Sequence, residues 1–588
     1  MLMLSRFSRS YSRALLEESG IVIKDQGPKA PQHSQDGIIQ NDSDSQTSSA
    51  LETASLISCV TCLSDNTDSR GGNSLLLPPN TVIPYSKILD VRLVPRDSAS
   101  SGKNDVYDKY PDSDASRPVD DCDKVHHEMS IDAFYRKAYH PEPDQGILVE
   151  VVFARPRRND LVPKTVTLLI DRSSGLLCNE ENVDVVEKIL ERSYKNTKRN
   201  KSILVIINPH GGRGRANKIY VTKAKPILIA SGCYVEVFQT SYPEHAIEIA
   251  RTMDIDKYDV IACASGDGIP YEVLNGLYRR EDRAKAFNKV AVTQLPCGSG
   301  NAMSVSCHGT NNPAYAALSL VKAVEVRMDV MCCSQPSYLD GPRLSFLSQT
   351  YGVIAESDIN TEFLRWIGPA RFELGVTLNI FQRRKYPCEI YVKYAAKSKN
   401  ELKDYYLLHK ARIKQSTLKL DFDFSNTDSG SSDGSCSGDS IDETLFEPKW
   451  SLDDPVPSDW EMIDQDLADN IGIFYVGKMP YVAADTKFFP AALPDDGSMD
   501  MVITDARTPL TRMAPILLSL DKGSHVLQPE VEHSKIFAYR LVPKLKNSVI
   551  SVDGEKFPYE TLQVEVLPRL VKMLLKNGNY VETEFNIL

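Results

Sequence analysis

Three loops in the middle of this 588-residue chain carry the residue types that handle phosphate. They read NPHGGRGRA after Ile207, SGDGIP after Ala264 and PCGSGNA after Leu295. Each follows a short apolar run and precedes a helical pattern, so glycines let backbone N–H groups turn toward an anion at a helix start. Asp267 stands between Gly266 and Gly268, where neither neighbour has a side chain to keep a substrate away. Pro270 suits the first turn of the helix that follows. Phosphoryl transfer needs positioning, charge neutralisation by a metal and a group to receive the attacking hydroxyl's proton, and Asp267 has the type and place for that last role. The competing role for this aspartate is a cap on its own helix. Two known phosphate signatures are absent. Counted from Gly212, a P-loop would need Gly-Lys-Ser/Thr where Asn217, Lys218 and Ile219 stand, and the dinucleotide fingerprint also fails at Asn217.

The elements that must position these loops are legible as a pattern. SILVIINP, CYVEVFQT, DVIACAS and KVAVTQLP are apolar runs separated by helical stretches, which is how βαβ units build a parallel sheet with ligands at the carboxyl ends of its strands. This predicts an α/β domain over residues 199–335. Beyond Pro336 the pattern changes to strands and turns, predicting an antiparallel, mostly β domain over 336–588. The acidic stretch DFDFSNTDSGSSDGSCSGDSIDE opens what should be a disordered loop over 421–460. Upstream, TVIPYSKILDVRLV, GILVEVVFARP and TVTLLIDR read as strands and NVDVVEKILERSYKN as a helix with one apolar face. Together they predict a small β module over 76–198, closed by a helix, resembling a pleckstrin-homology-like module and carrying an acidic insert at 97–130. The fold class expected is therefore α/β plus mostly β.

Residues 1–75 are expected to be disordered and membrane-associating, being rich in Ser, Asp, Gln, Asn and Gly. The first sixteen residues contain no acid, carry Arg6, Arg9 and Arg13, and put Leu4, Phe7, Tyr11 and Leu15 on one helical face. That composition suits an interfacial helix, a transit peptide or an unstructured terminus. Inside ASLISCVTCLS, Cys59 and Cys62 are S-acylation candidates or plain free thiols, and no second pair completes a zinc site around them. The other cysteines among the chain's twelve are scattered, as in a reducing compartment. With 68 basic against 79 acidic residues the net charge is -11, which argues against a nucleic-acid partner held by bulk charge. No apolar run reaches the roughly 18–20 residues that span a bilayer.

NPHGG, SGDGIPYEVLNG and LPCGSGNAMS, in this order, resemble the diacylglycerol-kinase-like catalytic domain shared by sphingosine, ceramide and diacylglycerol kinases. The SGDG form is similar to the sphingosine kinase branch. SFLSQTYGVIAESDINTEFLRWIGPARFELG resembles that branch's lipid-recognition segment, and VDGEKFP its closing nucleotide contact. The resemblance runs from about Lys201 to the C-terminus, outside the acidic loop, and is closest to the fungal sphingoid long-chain base kinases. It implies an ATP-dependent lipid kinase using Mg2+, with a sphingoid base as the partner molecule and peripheral attachment to the cytoplasmic face of endoplasmic reticulum, Golgi, endosomal or plasma membrane. It implies that Asn208, Pro209, His210, Thr240 to Glu244, Glu272, Gly298, Ser299 and Gly300 hold ATP. Asp267 matches the catalytic base and Ser265 its substrate-contacting neighbour. Asp358 matches the acid that meets the lipid head group, Arg365 and Arg371 match basic residues facing the phosphates, and Asp553, Gly554 and Glu555 match the nucleotide contact of the second domain. At His210 some relatives carry arginine, so a side-chain phosphate contact there is not implied.

The head-group assignment has a physical reason. A sphingoid base presents a protonated amine beside its hydroxyls, and a carboxylate such as that of Asp358 would pair with it; a glycerolipid offers no cation. As a helix-starting residue, Asp358 could instead be a surface cap, and Arg365 and Arg371 could be solvated charges. Rival readings are a ceramide or diacylglycerol kinase of the same fold, or a lipid-binding adaptor without catalysis.

Overall fold

The computed structural model describes residues 11–26, 77–94, 146–171, 184–195, 197–360, 384–423 and 440–587, with the side chains of 25, 26, 212, 213, 358, 360 and 414–423 outside that description. Cys59, Cys62, Arg365, Arg371 and the insert 97–130 lie outside the described residues, and of Asp358 only the backbone is described. The chain divides into two bodies, one from residues 1–152 and 165–190, the other from 153–164 and 191–588.

A six-stranded sheet is built from β1 (Ser12–Glu17), β2 (Gly20–Gln26), β3 (Val82–Pro84), β4 (Ile88–Leu93), β5 (Ile147–Arg157) and β6 (Asp160–Ile170), in the order β3-β2-β1-β6-β5-β4. The helix Val185–Tyr194 follows it in the chain. The strands β3 to β6 and this helix fall where the alternation put them. The first two strands correct the expectation for the N-terminal region. Ser12–Glu17 is a strand rather than part of a helix or a disordered tail; it runs parallel to β6 at Ser12↔Leu168 and forms a hairpin with β2 that closes at Glu17↔Gly20. Its period is two, not 3.6: Ala14 and Leu16 are buried while Arg13 and Glu17 face out, and the β-branched run Ile21-Val22-Ile23 answers from β2.

The larger body contains a single 15-stranded sheet. At one end lie β7 (Ser202–Ile207), β8 (Tyr234–Gln239), β9 (Val260–Ser265) and β10 (Ala291–Pro296), all parallel, in the order β10-β9-β7-β8. Every residue of β9 and β10 is buried, as expected of parallel strands covered on both faces. The rest is mainly antiparallel and includes β11 (Val324–Ser334), β12 (Arg343–Ser345), β13 (Ser348–Gly352), β14 (Cys388–Ala396), β15 (Glu461–Met462), β16 (Ile471–Gly477), β17 (Met499–Asp505), β18 (Val531–Pro543), β19 (Ile550–Val552), β20 (Glu555–Phe557) and β21 (Leu562–Leu575). The long strand β21 joins the two regions, parallel to β10 at Val292↔Met573 and antiparallel to both β11 and β18.

Two boundaries move from their expected places. The antiparallel region already begins with β11, because Val324–Ser334 pairs along β21 over its whole length. The stretch 440–460 is not a disordered loop: a 3-10 turn at Glu443–Phe446 inserts Phe446, 1% exposed, into the core beside Tyr278 and Phe287. Acidic composition concealed the few apolar side chains that anchor this segment.

Candidate active site

Parallel pairing puts the carboxyl ends of β7, β9 and β10 on one edge of the sheet, with Ile207 opposite Ala264 and Ser265 opposite Pro296. The loops that leave these ends therefore start side by side. Two of them touch through backbone alone. A Cβ added to Gly298 would stand 2.3 Å from both the N and Cα of Gly266, closer than any side chain tolerates, and Cys297 N–H donates to Ser265 O at 3.2 Å. Glycine at this contact is a requirement of close approach rather than of turn-making.

Asp267 occupies the N-cap position of the helix Gly268–Tyr278, yet its side chain makes no capping bond there. Its carboxylate turns instead to the next loop. Oδ2 accepts from Ala302 N–H at 3.0 Å and Oδ1 from Met303 N–H at 3.1 Å, the first two amides of the helix Ala302–His308, and Oδ1 also accepts from Gln294 Nε2 at 3.2 Å. The capping alternative for its own helix is thereby set aside. Burial pushes this carboxyl above the usual carboxylate range, and the donors from Ala302, Met303 and Gln294 work against that push. The residue keeps part of its surface open, so an acid held by three donors at the loop junction remains reachable.

The loop PCGSGNA is pinned by Asn301, which adopts left-handed φ of 56°. Its Oδ1 accepts from Gly298 N–H at 3.0 Å and its Nδ2 donates to Gly298 O at 3.0 Å and to Asn311 Oδ1 at 2.7 Å. In the first loop, Asn208 makes the equivalent local turn: its Oδ1 accepts from His210 N–H at 3.0 Å and its carbonyl from Gly211 N–H at 3.0 Å. Pro209 is half-buried in that turn and the His210 side chain is exposed. After β8, Thr240 is buried while Glu244 is exposed, with φ of 63°, at the N-cap of the helix His245–Thr252. Glu272 reaches this helix end, where its Oε2 accepts from Ala246 N–H at 3.0 Å. Burial lifts its carboxyl to about 7, with help from the nearby Glu555 and against the amide bonds.

Asp553 and Gly554 form the two-residue turn between β19 and β20, both with positive φ (51° and 85°), as a tight hairpin of this kind demands. The Asp553 carboxylate is 4% exposed and fully engaged: Oδ1 accepts from Ser345 Oγ, Leu347 N–H and Ser348 N–H at 2.7, 3.1 and 2.8 Å, and Oδ2 from Phe346 N–H at 3.0 Å. Burial raises it to about 6 despite these bonds. It clamps the turn that leads into β13. The acid that reaches the loops is Glu555, whose Oε1 lies 3.3 Å from where a Cβ on Gly268 would stand.

The structure thus brings together Asn208, Ser265, Asp267, Gly298, Ser299, Gly300 and Glu555 at one sheet edge, with Glu272 one turn along the Asp267 helix. Ser265 is buried, its hydroxyl donating to Gly266 O at 2.7 Å. Asp358 lies on the helix Val353–Asn360, which continues directly from β13. Two residues that hold the site, Asn301 and Gln294, were not among the sequence candidates. Gln294 left a trace in the sequence: it is a long polar side chain within AVTQLP, an otherwise mostly apolar buried strand, immediately before the loop.

Known proteins resemble this chain in sequence and in fold. Residues 202–333 match the diacylglycerol kinase catalytic domain, and 464–575 match the YegS C-terminal NAD kinase beta sandwich-like domain. The chain is 54% identical to the sphingoid long chain base kinase 5 of Saccharomyces cerevisiae over 92% of its own length and 89% of that protein's. It is 32% identical to the sphingoid long chain base kinase 4 of Schizosaccharomyces pombe over 69% of this chain and 84% of the other, and 26% identical to human sphingosine kinase 1 over 63% and 90%. Among solved structures, a putative diacylglycerol kinase from Bacillus anthracis aligns with a TM-score of 0.43 and 16% identity, covering 65% of this chain and 97% of that one.

Proposed function

The chain belongs to the sphingoid long-chain base kinases, and we propose that its strand-end loops hold ATP with the γ-phosphoryl group beside Asp267. It is an ATP-dependent kinase that phosphorylates the primary hydroxyl of sphingoid long-chain bases such as sphinganine, phytosphingosine and sphingosine. The observation that carries the site assignment is the backbone contact of Gly266 with Gly298, which leaves Asp267 at the junction of two phosphate-type loops with its carboxylate held by the second. In this reading Asp267 orients the acceptor hydroxyl and receives its proton as the phosphoryl group transfers. The amides of 208–211 and 298–300 cradle the phosphates. Thr240, Glu244 and Glu272 border the nucleotide, and Glu555 closes over it from the β-rich region.

Among the described residues no group of three or more His, Cys, Asp or Glu is arranged to hold a metal ion. That fits Mg2+ arriving on the triphosphate, since this ion keeps several waters and takes one or two carboxylates. Glu555 is the exposed acid at that end, and the ion would supply neutralisation of phosphate charge. Asp358 pairs with the sphingoid amine, and Arg365 and Arg371 face the phosphates. In this reading membrane attachment is peripheral, with acylation of Cys59 and Cys62 supplying two-chain anchoring; no helix among the described residues is long and apolar enough to cross a bilayer.

Labelled ATP offered with sphinganine, ceramide or diacylglycerol tests substrate and site together. Phosphate should enter sphinganine alone, and Asp358→Asn should raise the KM for sphinganine by about tenfold or more with the KM for ATP held. Equal labelling of diacylglycerol, or an unmoved lipid KM in that variant, overturns the head-group assignment. Membrane partitioning of a Cys59→Ala/Cys62→Ala double variant tests the anchoring; partitioning equal to wild type overturns it.

A further inference from the structure

Among the described residues Gln294 is the one polar side chain that hydrogen-bonds Asp267 from the sheet. It sits on β10, wholly buried, one strand across from the end of β9. Its orientation is settled by its partners. Ser304 N–H, which can only donate, lies 2.8 Å from one amide atom, so that atom is Oε1, and the –NH2 must face the other way. There Nε2 meets two acceptors and nothing else, Asp267 Oδ1 at 3.2 Å and Ser265 O at 3.4 Å. Ser304 is on the same helix whose first amides bind Asp267, so a single glutamine ties that helix, the end of β9 and the acid together.

We propose that Gln294 is a positioning residue for the kinase reaction, its side-chain amide locked by Ser304 so that it holds the Asp267 carboxylate in one rotamer and in its ionised form at the acceptor site. This rests on the reading of Asp267 as the group that takes the hydroxyl's proton. A burial that favours the neutral acid is opposed here by the backbone N–H groups of Ala302, Met303 and Asn301 and by the Gln294 amide. The backbone donors cannot be lost by substitution; the Gln294 amide is the one that a variant can remove. The other ionisable groups on the surrounding elements are Cys307 and His308 on the helix Ala302–His308, the thiol pushed up by burial and by Asp267; Tyr271, Glu272 and Tyr278 on the helix of Asp267 itself; Cys263 on β9; Cys297 just after β10; and Glu555 and Lys556 on β20. His308 is bonded to Thr293 and Ser319 and burial favours its neutral form, and among the described residues no cation is ion-paired with Asp267, so no charge partner stands in for the lost donor.

The test uses the full-length enzyme with two near-isosteric variants. Gln294→Met removes both the donor and the acceptor, while Gln294→Glu keeps an oxygen for Ser304 and turns a carboxylate toward Asp267. Gln294→Met should lower kcat about 10- to 100-fold with the KM for ATP within about twofold. The acid limb of kcat/KM against pH should rise by about one unit in Gln294→Met, because the lost donor favoured the ionised base, and further in Gln294→Glu, where two acids share the site. Asp267→Asn runs in parallel. If it is inactive while both Gln294 variants match wild type, or lose kcat with the limb unmoved, the positioning role is overturned and Asp267 keeps its own. Substantial activity in Asp267→Asn overturns the reading on which the proposal rests. Should Gln294→Met fail to fold, the limb position in Gln294→Glu decides.

Discussion

Replacing Gly300 with alanine tests whether the PCGSGNA loop positions the catalytic acid or merely borders it. The new Cβ would stand 2.8 Å from Asp267 Oδ2 and touch nothing else tightly. Gly300 is not among the glycines with positive φ, so alanine meets no backbone penalty. Relief must come from the carboxylate. Ordinary contact begins at 3.4 Å, so Oδ2 has to retreat by about 0.6 Å; a retreat of that size directed along the 3.0 Å bond from Ala302 N–H would stretch it to about 3.6 Å, outside hydrogen-bond range. A hydrogen bond to a charged group is worth about 1.5–3 kcal/mol, which corresponds to about 10- to 100-fold in rate if the misplaced acid is the cost. The fold should scarcely register it, since a short side chain at the loop edge moves and no backbone does. Gly298→Ala is the internal control. There the Cβ meets Gly266 backbone at 2.3 Å, two main chains must part, and an overpacking penalty of about 1–3 kcal/mol should join the loss of activity. The assay is steady-state transfer from labelled ATP to sphinganine alongside thermal unfolding. A Gly300→Ala enzyme with wild-type kcat, or one that loses melting temperature as much as Gly298→Ala does, would refute the reasoning.

Asp267→Asn should fold as wild type and lose about 10²- to 10⁴-fold in kcat, read in the same transfer assay. Glu272→Gln tests the buried acid at the helix His245–Thr252. Burial raises this carboxyl from 4.5 to about 7, so its contribution to stability is present below pH 4.5 and is lost as pH rises through 7. The stability advantage of Glu272→Gln over wild type should therefore grow between pH 5 and pH 8 in thermal melts of the nucleotide-free protein; a pH-independent difference refutes it. Lys478→Met should lower the denaturant stability by about 3–5 kcal/mol while leaving kcat per folded molecule intact. Its ammonium is buried and lies 2.6 Å from each of Asp329 Oδ2, Asp496 Oδ1 and Ser498 O; its removal leaves the buried Asp329 carboxylate with two amides and no cation, while Asp496 keeps Lys535. An unchanged denaturation midpoint would show that the cluster relaxes without cost.

What the sequence made legible was the part whose cause is local. The strands β7, β9 and β10 are mostly apolar runs because parallel strands are buried on both faces, and the loops after β9 and β10 are glycine-rich because Gly266 and Gly298 must nearly touch. Composition misled where a few residues decide the outcome. Phe446 fixes a segment that is otherwise acidic and polar, and Ala14 and Leu16 fix a strand in a stretch whose apolar residues also fit a helical face. The role of Asp553 was out of reach for a different reason. Motif position places it next to the nucleotide, but its carboxylate is committed to Ser345 Oγ and three amides, partners more than two hundred residues away in sequence. Only the hairpin turn that carries it is local, and Glu555, two residues on, is left to face the loops.

These long-range partners form a closed circuit around the site. From Asp267 the helix Gly268–Tyr278 runs to Asn275, which is buried and pairs with the backbone of Leu344 in both directions, receiving its N–H and donating to its carbonyl, each at 2.9 Å. Leu344 leads into the turn 345–348 that Asp553 clamps; Asp553 leads to Glu555, and Glu555 returns to Gly268, one residue from the starting point. The same turn opens β13, which pairs with β19 and runs on into the helix that carries Asp358. An amide and a carboxylate, both buried and both fully bonded, therefore tie the acid assigned to the hydroxyl to the helix assigned to the lipid amine. Polar groups in such a place stabilise less than apolar ones of the same volume would, but they accept only one register. For a reaction in which the enzyme contributes position more than bonding, that single register is the useful property.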